Sequence, residues 1–289
     1  MSRDLGLYDS HPYFRKKVVL TTKHDKHKLI SPVFSDSLRM NVIDHWADTD
    51  LLGTFSGEVE RKFSPRETAI KKAHIGISDL GVTLGLASEG SVGPDPYLHF
   101  VTSNIEYLAF VDVENGLEIV QAFRSLDITA GQISVSPEQD LTQFLKRFDF
   151  PNHKLIVIPN LGKPNSPVKG ISTMEELSAA IKACANISDD GSALVKSDFR
   201  AHCSPSRQVN ITQAARVLVE RVSSRCPECR IPGWGVTSHE RGLKCGICGL
   251  VSTTALRREV LGCAKCEYVE FGPQLREFAD PATCDACNP

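Results

Sequence analysis

Eight of the ten cysteines fall in four Cys-x-x-Cys pairs within the last 64 residues: Cys226/Cys229, Cys245/Cys248, Cys263/Cys266 and Cys284/Cys287. Such a turn sets two sulfurs on one ion, and glycine or proline permits its tight backbone, as in "CPEC" and "CGICG". Structural zinc takes thiolates in this way, four to a tetrahedron. Fifteen residues separate Cys229 from Cys245, and 17 separate Cys266 from Cys284. Both gaps suit two ribbon-like sites built from sequential pairs. The spacing leaves open a crossed pairing, first with third and second with fourth. Four thiolates close the coordination sphere, so the expected role is structural: two Zn2+ ions whose binding, roughly 10–16 kcal/mol per site, is folding energy. The 65 residues from Arg225 onward carry few large apolar side chains and need such staples. The opening "MSRDLGLYDSHPYF" has no continuous apolar stretch, so the cysteines read as metal ligands rather than cystines.

A second set of candidates lies upstream. In "GLASEGSVGPDP" one acid, Glu89, stands where an apolar strand should run into a glycine- and proline-broken turn. A carboxylate at a strand end can hold a metal and a phosphate. Lys23, His24, Lys26 and Lys28 follow the strand "KKVVLTT", which ends at Thr22. A helix starting there would add its own preference for anions. Arg200, His202 and Arg207 cluster before and within another helix start, where guanidinium and imidazole can hold phosphate or read a base. Asp95 reads as a turn residue, His74 as packed and Cys184 as core, and Cys203 has no evident base partner.

These residues need elements to hold them. "SPRETAIKKAHIGISDLG" predicts a helix capped by Ser64, with Pro65 in its first turn, Glu67 completing a capping box, and Gly81 as the stop. "VTLGLAS" predicts a buried strand. "EYLAFVDVENGLEIVQAF" predicts a hairpin, with Asn115 and Gly116 supplying positive φ. "SPEQDLTQFLKRF" and "SPSRQVNITQAARVLVERVSSR" predict helices opening at Ser-Pro, the second with Ile211, Ala215, Leu218 and Val222 on one stripe. "KLIVIPN" predicts a strand, and "STMEELSAAIKACA" a helix with Met174, Leu177 and Ile181 toward the core. Strands mixed with helices and a hairpin give an α/β domain with a mixed sheet over residues 1–224. Knuckles and turns dominate 225–289, read as a small double zinc-ribbon domain.

In these residues the stretch from 17 to 222 resembles the superfamily of inosine triphosphate pyrophosphatases and Maf-like nucleotide pyrophosphatases. "TTKHDKHK" resembles its opening strand-to-helix turn, where a Thr, an amide and a Lys meet the triphosphate. "ETAIKKA" resembles its "EN-A--KA" helix, "GLASEG" its acidic strand end, and "RAHCSPSR" its base-recognition Ser-His-Arg segment. His24 replaces the amide, Glu89 replaces two or three adjacent acids, and the triplet is spread over Arg200, His202 and Arg207. The whole chain also resembles an uncharacterised bacterial family with a "CPxC…PGWG…CxxCG…CxxC…ADPxxCxxCNP" tail. The first resemblance implies metal-dependent hydrolysis of a non-canonical or modified nucleoside triphosphate to monophosphate and pyrophosphate. Glu89 and Glu67 would be the Mg2+-binding and catalytic carboxylates. Thr22, Lys23, His24, Lys26 and Lys28 would meet the phosphates, and Arg200, His202 and Arg207 the nucleotide. The alternative is a non-catalytic nucleotide-, nucleic-acid- or protein-binding module with structural zinc ribbons.

Composition narrows the field. The 289 residues are 41% hydrophobic and 24% charged with net charge -2, an ordinary globular balance rather than a basic nucleic-acid binder. Glu228, Glu240, Glu259, Glu267, Glu270 and Glu277 interrupt the arginines of the tail. No apolar run approaches the length of a membrane span. The expectation is a cytoplasmic protein off the membrane, with a nucleotide substrate and a nucleic-acid or protein partner at the ribbons. A homodimer is left open.

Overall fold

The computed structural model describes residues 10–23, 25–52, 62–162, 167–284 and 286–288. The chain opens with β1 (Lys17–Thr22), α1 (His27–Leu38) and β2 (Asn41–Trp46). It continues through α2 (Pro65–Leu80), β3 (Leu84–Pro94), β4 (Thr102–Asp112) and β5 (Leu117–Ser125). These strands form one sheet in the order β2-β1-β3-β4-β5. β1 runs parallel to β2 and β3, while β3, β4 and β5 run antiparallel, so the expected mixed sheet is present. Side chains alternate between its faces. Val18, Leu20, Leu86, Leu108 and Phe110 pack with α1 and with α5 (Pro205–Ser223). Val19, Ala87 and Val111, with Ala109 beside them, pack under α2.

α2 begins as its sequence predicts. The Ser64 hydroxyl accepts from the Glu67 N–H, the Glu67 carboxylate accepts from the Ser64 N–H, and Gly81 ends the helix at φ 61°. On α5 the stripe Ile211, Ala215, Leu218 and Val222 is buried. The chain leaves β1 through α1 on one face and enters β3 from α2 on the other. β1 lies between β2 and β3, so its carboxyl end is a topological switch point, where open α/β sheets place ligands.

The strand reading of "GLASEG" is corrected. The β1–β3 ladder stops at Thr21↔Ala87, but β3 continues against β4 as far as Pro94↔Thr102. Glu89 is therefore mid-strand, opposite Tyr107, because β4 supplies partners that the local sequence cannot announce. The turn comes at Asp95, whose carboxylate accepts from the N–H groups of Tyr97 and Leu98. The β4–β5 hairpin is also looser than expected. Gly116 takes φ 61° and Asn115 stays out of the positive region, because the Asp112 carboxylate fixes the loop through the N–H groups of Glu114 and Asn115.

A second sheet follows, built from β6 (Gln132–Val135), β7 (Leu155–Pro159), β8 (Val168–Ile171) and β9 (Ala193–Ser197) in the order β6-β9-β7-β8. It has its own core, with α4 (Met174–Asn186) laying Leu177, Ile181 and Cys184 on Leu155, Val157 and Val195. Met174 is exposed, contrary to expectation. It directly follows the N-cap Thr173, and the capping box with Glu176 sets the first turn above the sheet. Ser136-Pro137 does not start a helix either. α3 (Thr142–Arg147) begins later, after Asp140, whose carboxylate accepts from the Thr142 N–H.

The tail is more regular than knuckles and turns. β10 (Gly235–Lys244), β11 (Val251–Gly262) and β12 (Val269–Gln274) make an antiparallel sheet in chain order. No helix among the described residues is long and apolar enough to cross a membrane.

Candidate functional site

Beyond Ala87, where β1 no longer pairs with β3, groups from both faces of the sheet meet. From the β1–α1 loop, the buried Lys26 ammonium donates to the Ser88 hydroxyl at 2.8 Å and to the Ser88 carbonyl at 3.4 Å. From α2, Lys72 Nζ donates to Glu89 Oε2 at 2.6 Å, and both side chains are largely buried. Arg207, in the first turns of α5, is wholly buried and grips Glu106 of β4 with two prongs, Nε–Oε1 at 2.6 Å and Nη2–Oε2 at 3.2 Å. Its third nitrogen donates to the Phe199 carbonyl. Asn104 donates to Glu106, and Asn210 donates to Asn104. Gly90 lies opposite Glu106 in the ladder. A Cβ there would stand 2.3 Å from Arg207 Nη2 and 2.5 Å from Glu106 Oε1, so the close approach of this pair requires glycine.

Burial pulls the Lys26 pKa down to about 7. Arg207 adds to the pull, while Glu106 and Glu89 oppose it. That cost predicts a stability effect. Below about pH 7 Lys26 is charged in both states; between there and its ordinary value near 10.5 the unfolded chain holds the extra proton. Stability from this group therefore rises with pH across that window, by up to about 1.4 kcal/mol per pH unit. Lys26→Met should raise the urea midpoint near neutral pH and flatten this rise relative to the parent. An unchanged slope would show that Lys26 titrates normally.

The other upstream candidates sit less centrally. Thr22 is buried at the end of β1, and Lys23 pairs with Asp48 at 2.8 Å. His24 lies outside the described residues. Lys28 is exposed, 3.9 Å from Asp25. Glu67 is exposed and holds Ser64, which keeps its carboxyl below the ordinary range. It precedes Lys72 by five residues, about 140° around the helix. Arg200 is clamped on Asp198 through Nε and Nη2. His202 is at the surface, its pKa lowered by partial desolvation and then by Arg200, and it feels the charge of Asp25 in the β1–α1 loop. The structure thus groups Lys26, Glu89 and Arg207, leaves His202 at the surface among Arg200, Asp198, Lys154 and Asp25, and sets Glu67, Lys28 and Arg200 on other partners. Burial pushes the Cys203 thiol up to about 11, away from nucleophile chemistry. His74 is exposed and paired with Glu118 rather than packed.

In the tail, Cys226, Cys229, Cys263 and Cys266 converge, as do Cys245, Cys248, Cys284 and Cys287. The pairing is crossed, and sequential pairing is overturned. The reason is length: β10 spans 10 residues, roughly 30 Å when extended, so the first and second pairs lie at opposite ends of one hairpin. Sulfur–sulfur distances are 3.8 and 3.5 Å in the first cluster and 3.7 and 3.7 Å in the second. A tetrahedron of thiolates about 2.3 Å from zinc has edges of about 3.8 Å, and a disulfide would bring sulfurs to about 2.05 Å. Both clusters fit structural zinc. The N–H groups of Cys248 and Ile247 draw the Cys245 thiol down to about 6, while Cys287, hydrogen-bonded to Cys248 and Cys245, is pushed up to about 12, so the close thiols share protons that a bound metal would displace.

A family model described as a domain of unknown function, DUF6671, matches residues 72–289. The chain belongs to this family. The DUF6671 span opens at Lys72 and takes in Glu89, Glu106, Arg207 and all eight paired cysteines. Lys26 precedes it. No curated protein matches the chain.

Sequence reasoning missed Lys72, Ser88, Glu106, Asn104 and Asn210. One signal was available. Asn104 and Glu106 are polar at alternate positions entering the apolar run "YLAFV", which in a buried strand puts both on one covered face.

Proposed function

We propose that this DUF6671 protein binds a nucleoside triphosphate with its phosphates in the crevice at the end of β1 and hydrolyses it to monophosphate and pyrophosphate. The observation that carries this reading is the convergence of Lys26, Lys72 and Glu89 at the switch point. Ammonium groups there neutralise and orient phosphate oxygens, which lowers the barrier by positioning and charge stabilisation. In the reaction water oxygen bonds to the α-phosphorus, the bond from that phosphorus to the bridging oxygen breaks, and pyrophosphate leaves. Glu89 would take the proton from water. Magnesium accompanies a nucleoside triphosphate as its counter-ion. A resident magnesium site of two protein carboxylates does not fit the described residues, because Glu67 holds Ser64 and Glu89 holds Lys72.

Incubation of zinc-loaded protein with a panel of canonical and modified nucleoside triphosphates, with pyrophosphate as the readout, should reveal a substrate. Glu89→Gln should slow its release by about 100-fold, the scale of lost general-base catalysis. Release from no nucleotide, or an unaltered rate in that variant, would refute the hydrolase reading.

The Lys72–Glu89 bond favours a second reading, binding without turnover, because it occupies the carboxylate that hydrolysis would use. Nucleotide affinity with no pyrophosphate release would select it. Its tail partner is then a protein rather than a nucleic acid, since Arg257 and Arg258 both pair with Glu240 and further glutamates interrupt the basic residues of the tail.

A further inference from the structure

We infer that Lys72 serves the crevice as a built-in counter-ion, standing on Glu89 where a divalent metal would otherwise bridge carboxylate and phosphate, so that a triphosphate binds here without magnesium. This rests on the crevice being a phosphate site.

Three observations support it. First, Lys72 Nζ lies 2.6 Å from Glu89 Oε2, with 11% and 6% of the two side chains exposed. A divalent ion on that oxygen would have to displace an ammonium of like charge from a poorly solvated position, which the low local dielectric penalises. Second, an ammonium has three donors, and Glu89 uses one of those on Lys72, so the same group can hold carboxylate and phosphate together. Third, the charges leave room for an anion. Among the described residues Lys26, Lys72 and Arg207 face Glu89 and Glu106, three cations to two carboxylates. The charged groups around Lys26 are Arg207 from α5, Glu106 from β4, Glu89 from β3 and Lys72 from α2. An arriving phosphate would favour the charged form of Lys26, so binding should take up protons and weaken as pH rises above neutral.

Calorimetric titration of the zinc-loaded full chain with inorganic tripolyphosphate, in magnesium-free buffer and again with excess magnesium, tests this. Binding should be at least as tight in the magnesium-free buffer as with excess magnesium, which only withdraws the free anion. Lys72→Met should weaken binding at least about tenfold in both. Glu89→Gln should bind as tightly as the parent or more so, because it removes a negative charge. Binding that appears only with magnesium, or that is lost in Glu89→Gln while the parent binds, would overturn the inference while leaving the phosphate site intact. The comparison of buffers uses the unaltered protein, so it stands even where Lys72→Met misfolds. Failure of tripolyphosphate and every nucleoside triphosphate to bind in either buffer would overturn the inference and the proposed function together.

Discussion

Cys226→Ser should free the tail from the α/β part of the chain, whereas Cys284→Ser should melt only the far end of the β10–β11 hairpin. Either change removes one of four thiolates from a site whose occupation supplies roughly 10–16 kcal/mol of folding energy. The outcomes differ because the two clusters have different surroundings. Around the first, Arg221 of α5 donates to the Gly233 carbonyl, Gln121 of β5 to the Val236 carbonyl, and Lys265 to the Asn115 carbonyl at 2.8 Å. Ala264, between two of its ligands, packs against the main core, and Gly233 sits so near Ile119 that a Cβ would lie 2.8 Å from it. Around the second cluster the described neighbours come from the tail itself, such as Ala279 and Leu250, whose carbonyls accept from the Gly246 and Cys245 N–H groups. Hydrogen exchange should show loss of protection reaching β5 and the end of α5 in Cys226→Ser, and loss confined to 245–251 and 279–288 in Cys284→Ser. Bound zinc should fall from two ions per chain to one in each. A strong chelator should unfold the tail while most of the two upstream sheets persist. Identical exchange patterns in the two variants, or far fewer than two zinc ions in the parent, would reject this account.

How far the sequence carries depends on the range of the forces involved. α2 was legible from end to end because its capping box, first-turn proline and terminal glycine act within a few residues. The cysteine turns were legible for the same reason. Their partners were not, since pairing depends on the length of β10 and on which end of a hairpin each turn occupies. Glu89 shows the same limit. Its local glycines and proline announce a turn, yet ladder bonds to Tyr107 and its neighbours keep the chain extended. The candidate site was half legible. Lys26, Glu89 and Arg207 stood out as charges in suggestive places, but Lys72, Ser88 and Glu106 become site residues only when α2, β3 and β4 are brought together.

The second large effect concerns the buried pair beneath that crevice. Arg207→Met should cost about 3–5 kcal/mol, because it strands the Glu106 carboxylate at zero exposure, with Asn104 still donating to it. Against a total stability of roughly 5–15 kcal/mol, this would bring the protein close to unfolding at ordinary temperature. Replacing both partners by apolar residues of similar volume, Arg207→Met with Glu106→Leu, should recover most of the loss, since neither member of the pair is then left buried without the other. Urea unfolding of the parent, both single variants and the double variant closes the cycle. A loss below about 1 kcal/mol for Arg207→Met would mean that the pair is solvated, as surface pairs are. The cycle also bears on the crevice. Arg207 depresses the Lys26 pKa and Glu106 raises it. A folded Arg207→Met chain should therefore hold the Lys26 proton to higher pH, and the double variant should return it toward the parent value. Arg207 thus acts on Lys26 at a distance, adding to the burial that lowers its pKa to about 7.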